Sequence, residues 1–472
     1  MRNRVPLTEV LEPGEYRVQW TIPSREGGEV TLEGDLELTA DRPPRAHAYG
    51  DLPGTYTYTD GTRSAGFPQH YDGGLIRGRL LNGRYVLLID TDIVVWPERV
   101  TLQARAALIG RLPAPAGDLQ VVRIDVQIDA LDAIAGIPPL KDLFLPKPPA
   151  GSAYLDWTWQ VTGQPDSTQK WADDHADIEL RFLNSYSGSD WFAYRINFSP
   201  VVQIRLTDPI DFDDVFTDWI EPLRRIVSVS TDRQERLTYL ELHVRNGEET
   251  EEWQVYGHGL HQDPYASLGN TVTKTKTAFW VSPQDESLLD LLRRWQSLAA
   301  DHHPLLETYG SLIYAPDRHP RSRLLLLLQA IEGLHGYETR QDYEGRLAEH
   351  LARRTAILSQ LAPSTDPATF RFLKKHLMKK PPTGLQAAIS SVLNAAPIDV
   401  SADLARSRLL TDHSDIALRL SAIRNDLAHG NRGYDADDLH EIVKPLEGVV
   451  RAHLLRVLGC SAEAQKRAQQ LD

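Results

Sequence analysis

The chain has 472 residues, of which 41% are hydrophobic and 25% charged, so it is long for one domain and sufficient for two or three with buried cores. Its single cysteine, Cys460, excludes a disulfide framework or a zinc site built from several cysteines, and fits a reducing cytoplasm. The net charge of −14 disfavours indiscriminate nucleic-acid binding, because a field of that sign repels phosphates.

The charge is distributed unevenly along the chain. Residues 320–472 contain 21 Lys/Arg and 18 Asp/Glu, a net charge of about +3, which leaves about −17 for residues 1–319. The chain start lacks the apolar run of a secretory signal, and the longest apolar run, 324–328, is far too short to span a bilayer. We therefore expect a cytoplasmic protein without a membrane segment, whose C-terminal part can accept a polyanion.

The first 282 residues have the pattern of β-strands. Short segments alternate apolar and polar residues and are separated by Gly, Pro, Asn and Asp clusters. These segments are 15–22, 29–38, 118–128, 237–244 and 252–256. Asn82-Gly83 predicts a hairpin turn, because both residues tolerate positive φ.

One helix is predicted within this β-rich region, over residues 211–225. Its apolar side consists of Phe212, Val215, Phe216, Trp219 and Leu223. The aspartates at 211, 213 and 214 have the composition of a magnesium site, but their position before a helix favours N-terminal capping.

Downstream of Ser282 the apolar period becomes helical. A nearly uniformly apolar helix over 321–335 is typical of the centre of a bundle. Further helices are predicted at 340–361, 367–379, 384–395, 403–429 and 437–458, with a proline-rich loop at 381–382. The sequence therefore predicts an α+β multidomain protein. A β-rich N-terminal region spans 1–282, a helical connector 283–319, and an all-α bundle 320–472.

The helix predicted to end at His429 carries a candidate catalytic site. Asn425 and His429 are one i,i+4 step apart, on a different face from the core stripe that contains Leu420 and Ile423. The long side chain of Arg424 can bend toward the same face. Gly430 fits a C-terminal cap, where the left-handed conformation favours glycine.

These residue types suit RNA cleavage without a metal or cofactor. The reaction needs a base for the 2′-hydroxyl proton, an acid for the leaving 5′-oxygen and a cation for the phosphorane. Histidine can serve as base or acid, and a guanidinium contacts two phosphate oxygens at once. Because one histidine cannot hold both proton roles at one moment, we expect two copies of the site to face each other in a dimer.

The Arg-x₄-His spacing alone is weak evidence, because it recurs in the chain. A second match, Arg371 to His376, has no polar residue after its arginine and no terminating glycine. It lies in the basic run 371–380, which is either a solvated face or a contact to the RNA backbone through Lys374 and Lys375.

The C-terminal part resembles a HEPN domain of the Apea-like group. The resemblance covers roughly residues 320–460 and rests on segments 324–335 and 410–458. In HEPN ribonucleases an Arg-x₄₋₆-His motif, often with Asn, Asp or His after the arginine, ends one long helix, and Arg424, Asn425 and His429 match it. Glu332 lies where Apea-like domains carry an acidic residue. The β-rich region is similar to the N-terminal domain of ApeA-type anti-phage defence proteins, most clearly at 219–227.

The resemblance implies a homodimeric endoribonuclease acting in abortive infection, with tRNA as one candidate substrate and a phage-derived trigger. His429 would act as base or acid, Arg424 would stabilise the phosphate, and Asn425 would orient the scissile group. Glu332, Arg432, Lys374 and Lys375 are the candidate substrate-binding residues. The helical domain would form the dimer, and the N-terminal region would be a sensor or inhibitory domain.

Two alternatives remain open from the sequence. The helical part could be a non-catalytic HEPN-like module that binds RNA or nucleotide, or only dimerises, with the β-rich region recognising a ligand. A β-rich carbohydrate-binding or hydrolytic domain would instead need paired carboxylates in an aromatic-lined cleft. The ten tryptophans permit such a cleft, but no spacing indicates it.

Overall fold

A computed structural model describes most of the chain, which divides into two compact units, Met1–Leu292 and Arg293–Asp472. The described residues are 6–7, 11–24, 26–53, 57–59, 62–64, 66–115, 117–144, 160–190, 193–282, 285–313, 319–379, 384–411 and 415–471. The predicted loop at 381–382 lies outside them. The two-unit division falls within one helix, and the three-part division of the sequence remains a prediction.

The described part of the N-terminal unit is dominated by antiparallel strands. These are β1 Gly14–Pro23, β2 Glu29–Leu38, β3 Arg45–Tyr49, β4 Thr57–Thr59, β5 Thr62–Ser64, β6 Gln69–Leu80, β7 Tyr85–Trp96, β8 Arg99–Gly110, β9 Val121–Ile128, β10 Leu140–Phe144, β11 Gln160–Gly163, β12 Gln169–Ala172, β13 Ala176–Asp190, β14 Ala193–Ile210, β15 Leu237–Asn246 and β16 Glu249–Gly257. The five strand segments predicted from alternation all fall on these strands.

Six of the strands close into a barrel. Their order is β1-β2-β3-β8-β7-β6, and β6 pairs back onto β1. Strand β8 is shared: its first half pairs with β3 and its second half with β16. From β16 the sheet continues through β15, β9, β14, β13 and β12. Closure protects the strand edges of the barrel, while the extension forms an open sheet beside it.

The barrel core is organised around Trp20, which is fully buried. Its indole Nε1 donates to the carbonyl of His47 at 3.1 Å. Two glycines on neighbouring strands make room for the ring. A Cβ at Gly34 would lie 2.8 Å from the indole, and one at Gly78 would lie 2.7 Å from it. Both distances are too short for a side chain, so these glycines are required by close packing.

The other two features predicted for this unit are the hairpin turn and the helix, and both are present. Leu80 donates its N–H to the Arg84 carbonyl at 2.8 Å across the β6–β7 turn, and Gly83 has φ 83°, which confirms the hairpin. The predicted helix is present as a continuous helical segment over 212–231. All five residues of its predicted apolar side are buried.

The helices of the N-terminal unit are short. They are α1 Leu131–Ile134, α2 Phe212–Asp214, α3 Glu221–Thr231 and α4 Gly269–Lys274, with a 3₁₀ turn at Pro165–Ser167 and a π-helical turn at Val215–Ile220 between α2 and α3. Asp211 occupies the N-cap position of α2, and Asp213 and Asp214 lie in its first turn, as predicted, but the Asp211 carboxylate makes no cap hydrogen bond. It accepts instead from Gln120 Nε2 at 2.7 Å, and Asp213 pairs with Arg105.

The described part of the C-terminal unit is helical. Its helices are α5 Leu288–Ala300, which contains the division between the units, α6 Pro304–Ile313, α7 Pro320–Glu338, α8 Arg340–Leu361, α9 Pro367–His376, α10 Leu385–Asn394, α11 Ser401–Leu404, α12 Ile416–His429, α13 Ala436–Val457 and α14 Ala462–Gln469. Helix α7 contacts α6, α8, α10, α12 and α13, which confirms its central place. The α+β class, β-rich first and helical second, is therefore confirmed. In the described part of the chain, no helix is both long enough and apolar enough to span a membrane.

The predicted first residue of one helix is wrong. The sequence predicted a helix over 403–429, whereas α11 ends at Leu404 and α12 begins at Ile416. Asp415 caps α12 by accepting from the Leu418 N–H at 2.9 Å. The Thr411 hydroxyl donates to the Ala405 carbonyl at 3.0 Å within the intervening turn. Aspartate and threonine compete for backbone hydrogen bonds in this way, which favours caps and turns over helix interiors.

Candidate active site

Helix α12 is held by its core face and by caps at both ends. Ala417, Leu420, Ile423 and Leu427 are buried, and the helix contacts α7 and α10. At its C-terminus Gly430 adopts φ 69° and donates its N–H to the Asp426 carbonyl. This is the left-handed cap predicted from the sequence. With the core face fixed, the candidate residues occupy the remaining faces.

The guanidinium of Arg424 bridges two other candidate residues. Its Nη2 lies 3.4 Å from Glu332 Oε2 on α7, and its Nη1 donates to Asn425 Oδ1 at 3.3 Å. The two side chains of the ion pair are 33% and 37% exposed. Because ion pairs that are this exposed contribute little, the guanidinium can exchange the carboxylate for a phosphate.

Asn425 and His429 are both exposed. Among the described residues, the His429 imidazole has no hydrogen-bond or ion-pair partner, so both ring nitrogens are open to an incoming group. The end of α12 is nevertheless fixed. Arg321 at the start of α7 donates its Nη2 to the Leu427 carbonyl at 2.6 Å. This contact satisfies one of the carbonyls that a helix terminus leaves without an internal partner.

The loop after α12 is ordered by an aromatic residue. The Tyr434 hydroxyl donates to Asp426 Oδ2 at 2.6 Å, and the guanidinium of Arg432 lies 5.2 Å from the Tyr434 ring centroid. Burial and the hydrogen bond to Asp426 raise the pKa of Tyr434, so its hydroxyl remains a donor. Arg432 itself is exposed, so the loop that directly follows His429 presents a cation.

The lysines predicted to bind substrate lie elsewhere on the helical unit. Lys374 and Lys375 are exposed on α9, which is joined to α8 by hydrogen bonds from Arg354 to the Lys374 and Leu377 carbonyls. Their role in substrate binding stays a prediction.

The second Arg-x₄-His match also lies on α9 and has a different environment. His376 packs its ring against Phe372, with 4.2 Å between the ring centroids. Arg371 donates to the carbonyl of Pro367, one turn earlier in the same helix. Neither side chain meets a carboxylate or an asparagine in these contacts. The pair therefore provides a matched control for the site on α12.

A pocket of about 260 Å³ opens beside the Arg424 contact. Helix α7 and its C-cap contribute Glu332, His335, Gly336 and Thr339, and α8 contributes Tyr343 and Arg346. The start of α10 supplies small and apolar residues, including Leu385 and Ala388. Glu332 connects the pocket to the candidate site, since it lines the pocket and also contacts Arg424.

One group in the described part of the chain has donors for a metal ion. The ligand atoms of Asp125, Glu241 and His243, on the extended sheet, lie within 4.8 Å of one another. Arg123 and Gln203 already donate to Asp125. Burial lowers the pKa of His243, but the adjacent carboxylates of Asp125 and Glu241 outweigh it and raise that pKa above its ordinary value. Since Asp125 is already engaged and His243 Nε2 lies 3.2 Å from Glu241 Oε1, an internal ion-pair network accounts for the group.

Several residues around the site were missed by the sequence analysis. His335 follows Glu332 by three positions on α7, so helical periodicity could have indicated it. Tyr343 and Arg346 reach the pocket from α8, and Arg321 reaches the end of α12 across 106 positions of sequence. No local pattern signals such contacts, because they arise only when the helices pack.

Two family models match the chain. Residues 15–295 match the model described as ApeA N-terminal domain 1, and residues 325–464 match the model described as Apea-like HEPN. Comparison with curated proteins and with solved structures gave no match. The first model covers more than half of the chain, and the second contains Glu332, Arg424 and His429.

Proposed function

The chain belongs to the ApeA family, as its resemblance predicted, and from this premise we propose that it is a metal-independent HEPN endoribonuclease of anti-phage defence. It would act by abortive infection, cleaving tRNA or other cellular RNA after a phage-derived trigger. The active form would be a homodimer through the helical domain, in the cytoplasm.

The observation that carries the proposal is the environment of Arg424. Its guanidinium lies between Glu332 and Asn425, and exposed His429 follows Asn425 by one helical turn. A phosphate that displaced Glu332 would keep two guanidinium N–H donors within reach, as a phosphorane requires. The second Arg-x₄-His match shares the spacing but has none of these neighbours.

In this proposal each residue has a distinct role. His429 transfers a proton, as base toward the 2′-hydroxyl or as acid toward the leaving 5′-oxygen. Arg424 stabilises the phosphorane, and Asn425 orients the scissile group through its amide. Arg432 contributes a cation next to His429. Attack by the 2′-hydroxyl on phosphorus forms the 2′,3′-cyclic phosphate and breaks the bond to the 5′-oxygen, which takes up a proton.

The N-terminal unit would regulate the enzyme as a sensor or inhibitory domain. Its acidic excess, about −17 over residues 1–319, would disfavour RNA until the trigger acts.

The Arg424–Glu332 ion pair also fits a second function, a HEPN-like module that binds RNA or nucleotide without cleaving it. The two functions differ in whether replacing His429 changes RNA cleavage.

The test is cleavage of total RNA by the purified full-length protein and its variants, with sequencing of the cut ends. We expect His429→Ala to slow cleavage by at least about 10²-fold, the usual contribution of a general acid or base, and to abolish phage protection. His376→Ala is the matched control and should cleave like the wild type. Equal cleavage by His429→Ala and the wild type would remove the proposal, whereas RNA binding without any cleavage would favour the binding module.

The same reaction tests the metal-independent chemistry. We expect the 5′ fragments to end in 2′,3′-cyclic phosphate, and EDTA to leave the rate unchanged. A rate that depends on added divalent metal, or fragments ending in a 3′-hydroxyl, would contradict this part of the proposal.

A further inference from the structure

The pocket between α7, α8 and α10 lies one contact away from the proposed phosphate-binding residue. Glu332 bounds it and holds Arg424 at 3.4 Å. A nucleotide whose phosphate sits at Arg424 can therefore place an adjoining base toward this pocket. The inference rests on the proposed function, because single-stranded RNA is a ligand only if the protein acts on RNA.

The lining has the chemistry that binds one unpaired base. Tyr343, which is half-buried, offers an aromatic ring, and Leu385 and Ala388 offer apolar surface. Proteins commonly read single-stranded RNA by stacking bases on aromatic rings and by hydrogen-bonding their edges. The polar groups at the pocket include the Glu332 carboxylate and the His335 imidazole.

The volume limits the ligand. At about 260 Å³ the pocket is below the usual range of sites for drug-sized ligands, so it accommodates a base more readily than a complete nucleotide. Arg346 is exposed and lines the same pocket. Such an arginine can contact the phosphate or ribose that remains outside while the base is inserted.

We infer that this pocket is a base-binding subsite that selects the nucleotide next to the cleaved bond. The Glu332 carboxylate accepts hydrogen bonds and does not donate them. Guanine presents two adjacent N–H donors on its Watson–Crick edge, whereas uracil presents one N–H between two carbonyls. The pocket therefore favours guanine most and uracil least.

The test uses two glycines of equal steric freedom. Gly336 on α7 lines the pocket, and Gly345 on α8 does not. A Cβ at either position would meet no atom within 4 Å, so a side chain can start at both without a clash. Leucine also has a higher helix propensity than glycine, so neither substitution should unfold its helix. Gly336→Leu fills the pocket, and Gly345→Leu is the matched control.

The measurement is binding of fluorescently labelled RNA hexamers containing one guanine, adenine, cytosine or uracil in an otherwise abasic strand. The full-length protein carries His429→Ala, so that cleavage is slowed during the binding measurement. We expect the guanine hexamer to bind tightest and the uracil hexamer weakest. Gly336→Leu should weaken the guanine hexamer by about 5- to 100-fold, as the loss of one base contact does, and remove the ranking. Gly345→Leu should leave the ranking unchanged.

Equal binding of the four hexamers, absence of binding, or a ranking that survives Gly336→Leu would overturn the inference. Because binding is measured in a cleavage-deficient protein, this failure is separate from failure of the proposed function. If the wild-type protein cleaves RNA but the hexamers are not ranked, only the subsite is wrong. If it does not cleave RNA but Gly336→Leu abolishes the ranking, the subsite stands without the nuclease.

Discussion

At the scale of single residues, the choice of arginine at position 424 determines what the site can do. A guanidinium can keep Asn425 on one nitrogen while it exchanges Glu332 for a phosphate oxygen on another. A lysine ammonium has its three donors on one atom, so it cannot span both partners in the same geometry. Charge alone is therefore insufficient at this position.

The corresponding substitution separates charge from geometry. Arg424→Lys keeps the positive charge and should slow RNA cleavage by about 10²-fold, the usual effect of losing one donor to transition-state charge. The measurement is the cleavage rate under single-turnover conditions. Arg406→Lys is the control, because Arg406 is exposed on the turn after α11 and pairs with Asp403. A rate for Arg424→Lys close to that of the wild type would show that position 424 acts through charge only.

At the scale of elements, the end of α12 depends on Gly430. Its φ of 69° lies in the left-handed region, while an added Cβ would meet no atom within 4 Å. The only cost of a side chain there is conformational. Gly433, three residues later, also has open space around it and does not share the positive φ. The two glycines therefore isolate the contribution of backbone conformation.

We expect Gly430→Ala to destabilise the helical unit by about 1 kcal/mol, the cost of a left-handed alanine. For a unit of this size that lowers the melting temperature by about 2–4 °C. Gly430→Asn should cost less, because asparagine tolerates this conformation. Gly433→Ala should melt within about 1 °C of the wild type. Equal melting temperatures for Gly430→Ala and Gly433→Ala would mean that the cap does not stabilise α12.

Elements differ in how well the sequence predicts them. The strands and the hairpin at Asn82-Gly83 follow from local alternation and turn chemistry, and the Gly430 cap follows from one residue type. The start of α12 was missed because apolar residues continue through 404–410, while Asp415 makes the cap. Barrel closure was not predictable either. It depends on β8 pairing with both β3 and β7 and on β6 pairing back onto β1, which no local pattern encodes.

The candidate site divides in the same way. Arg424, Asn425 and His429 lie within six consecutive residues, so helical geometry indicates that they act together. Glu332 came only from the family resemblance, and its contact with Arg424 requires α7 and α12 to pack side by side. The pocket also requires α8 and α10 to pack against α7, so no single segment of the sequence could predict it.

At the scale of the whole molecule, the proposed chemistry needs a second chain. The chain presents one exposed His429 at the end of α12. Cleavage by transesterification uses a base and an acid in the same reaction, and one imidazole cannot be both at once. If two protomers supply one histidine each across a two-fold axis, a mixed dimer with one His429→Ala chain lacks one of the two proton-transfer groups.

This requirement predicts inhibition by an inactive partner. When wild-type protein exchanges subunits with a threefold excess of His429→Ala protein, only about a quarter of wild-type chains pair with another wild-type chain. The RNA-cleavage rate per wild-type chain should fall to about that fraction. A mixed dimer has only one of the two proton-transfer groups that the reaction needs and is therefore expected to be inactive. A threefold excess of a His429→Ala protein that is cross-linked as its own dimer cannot exchange and should have no effect. An unchanged rate after exchange, with mixed dimers verified by differently tagged chains, would show that each protomer cleaves RNA alone.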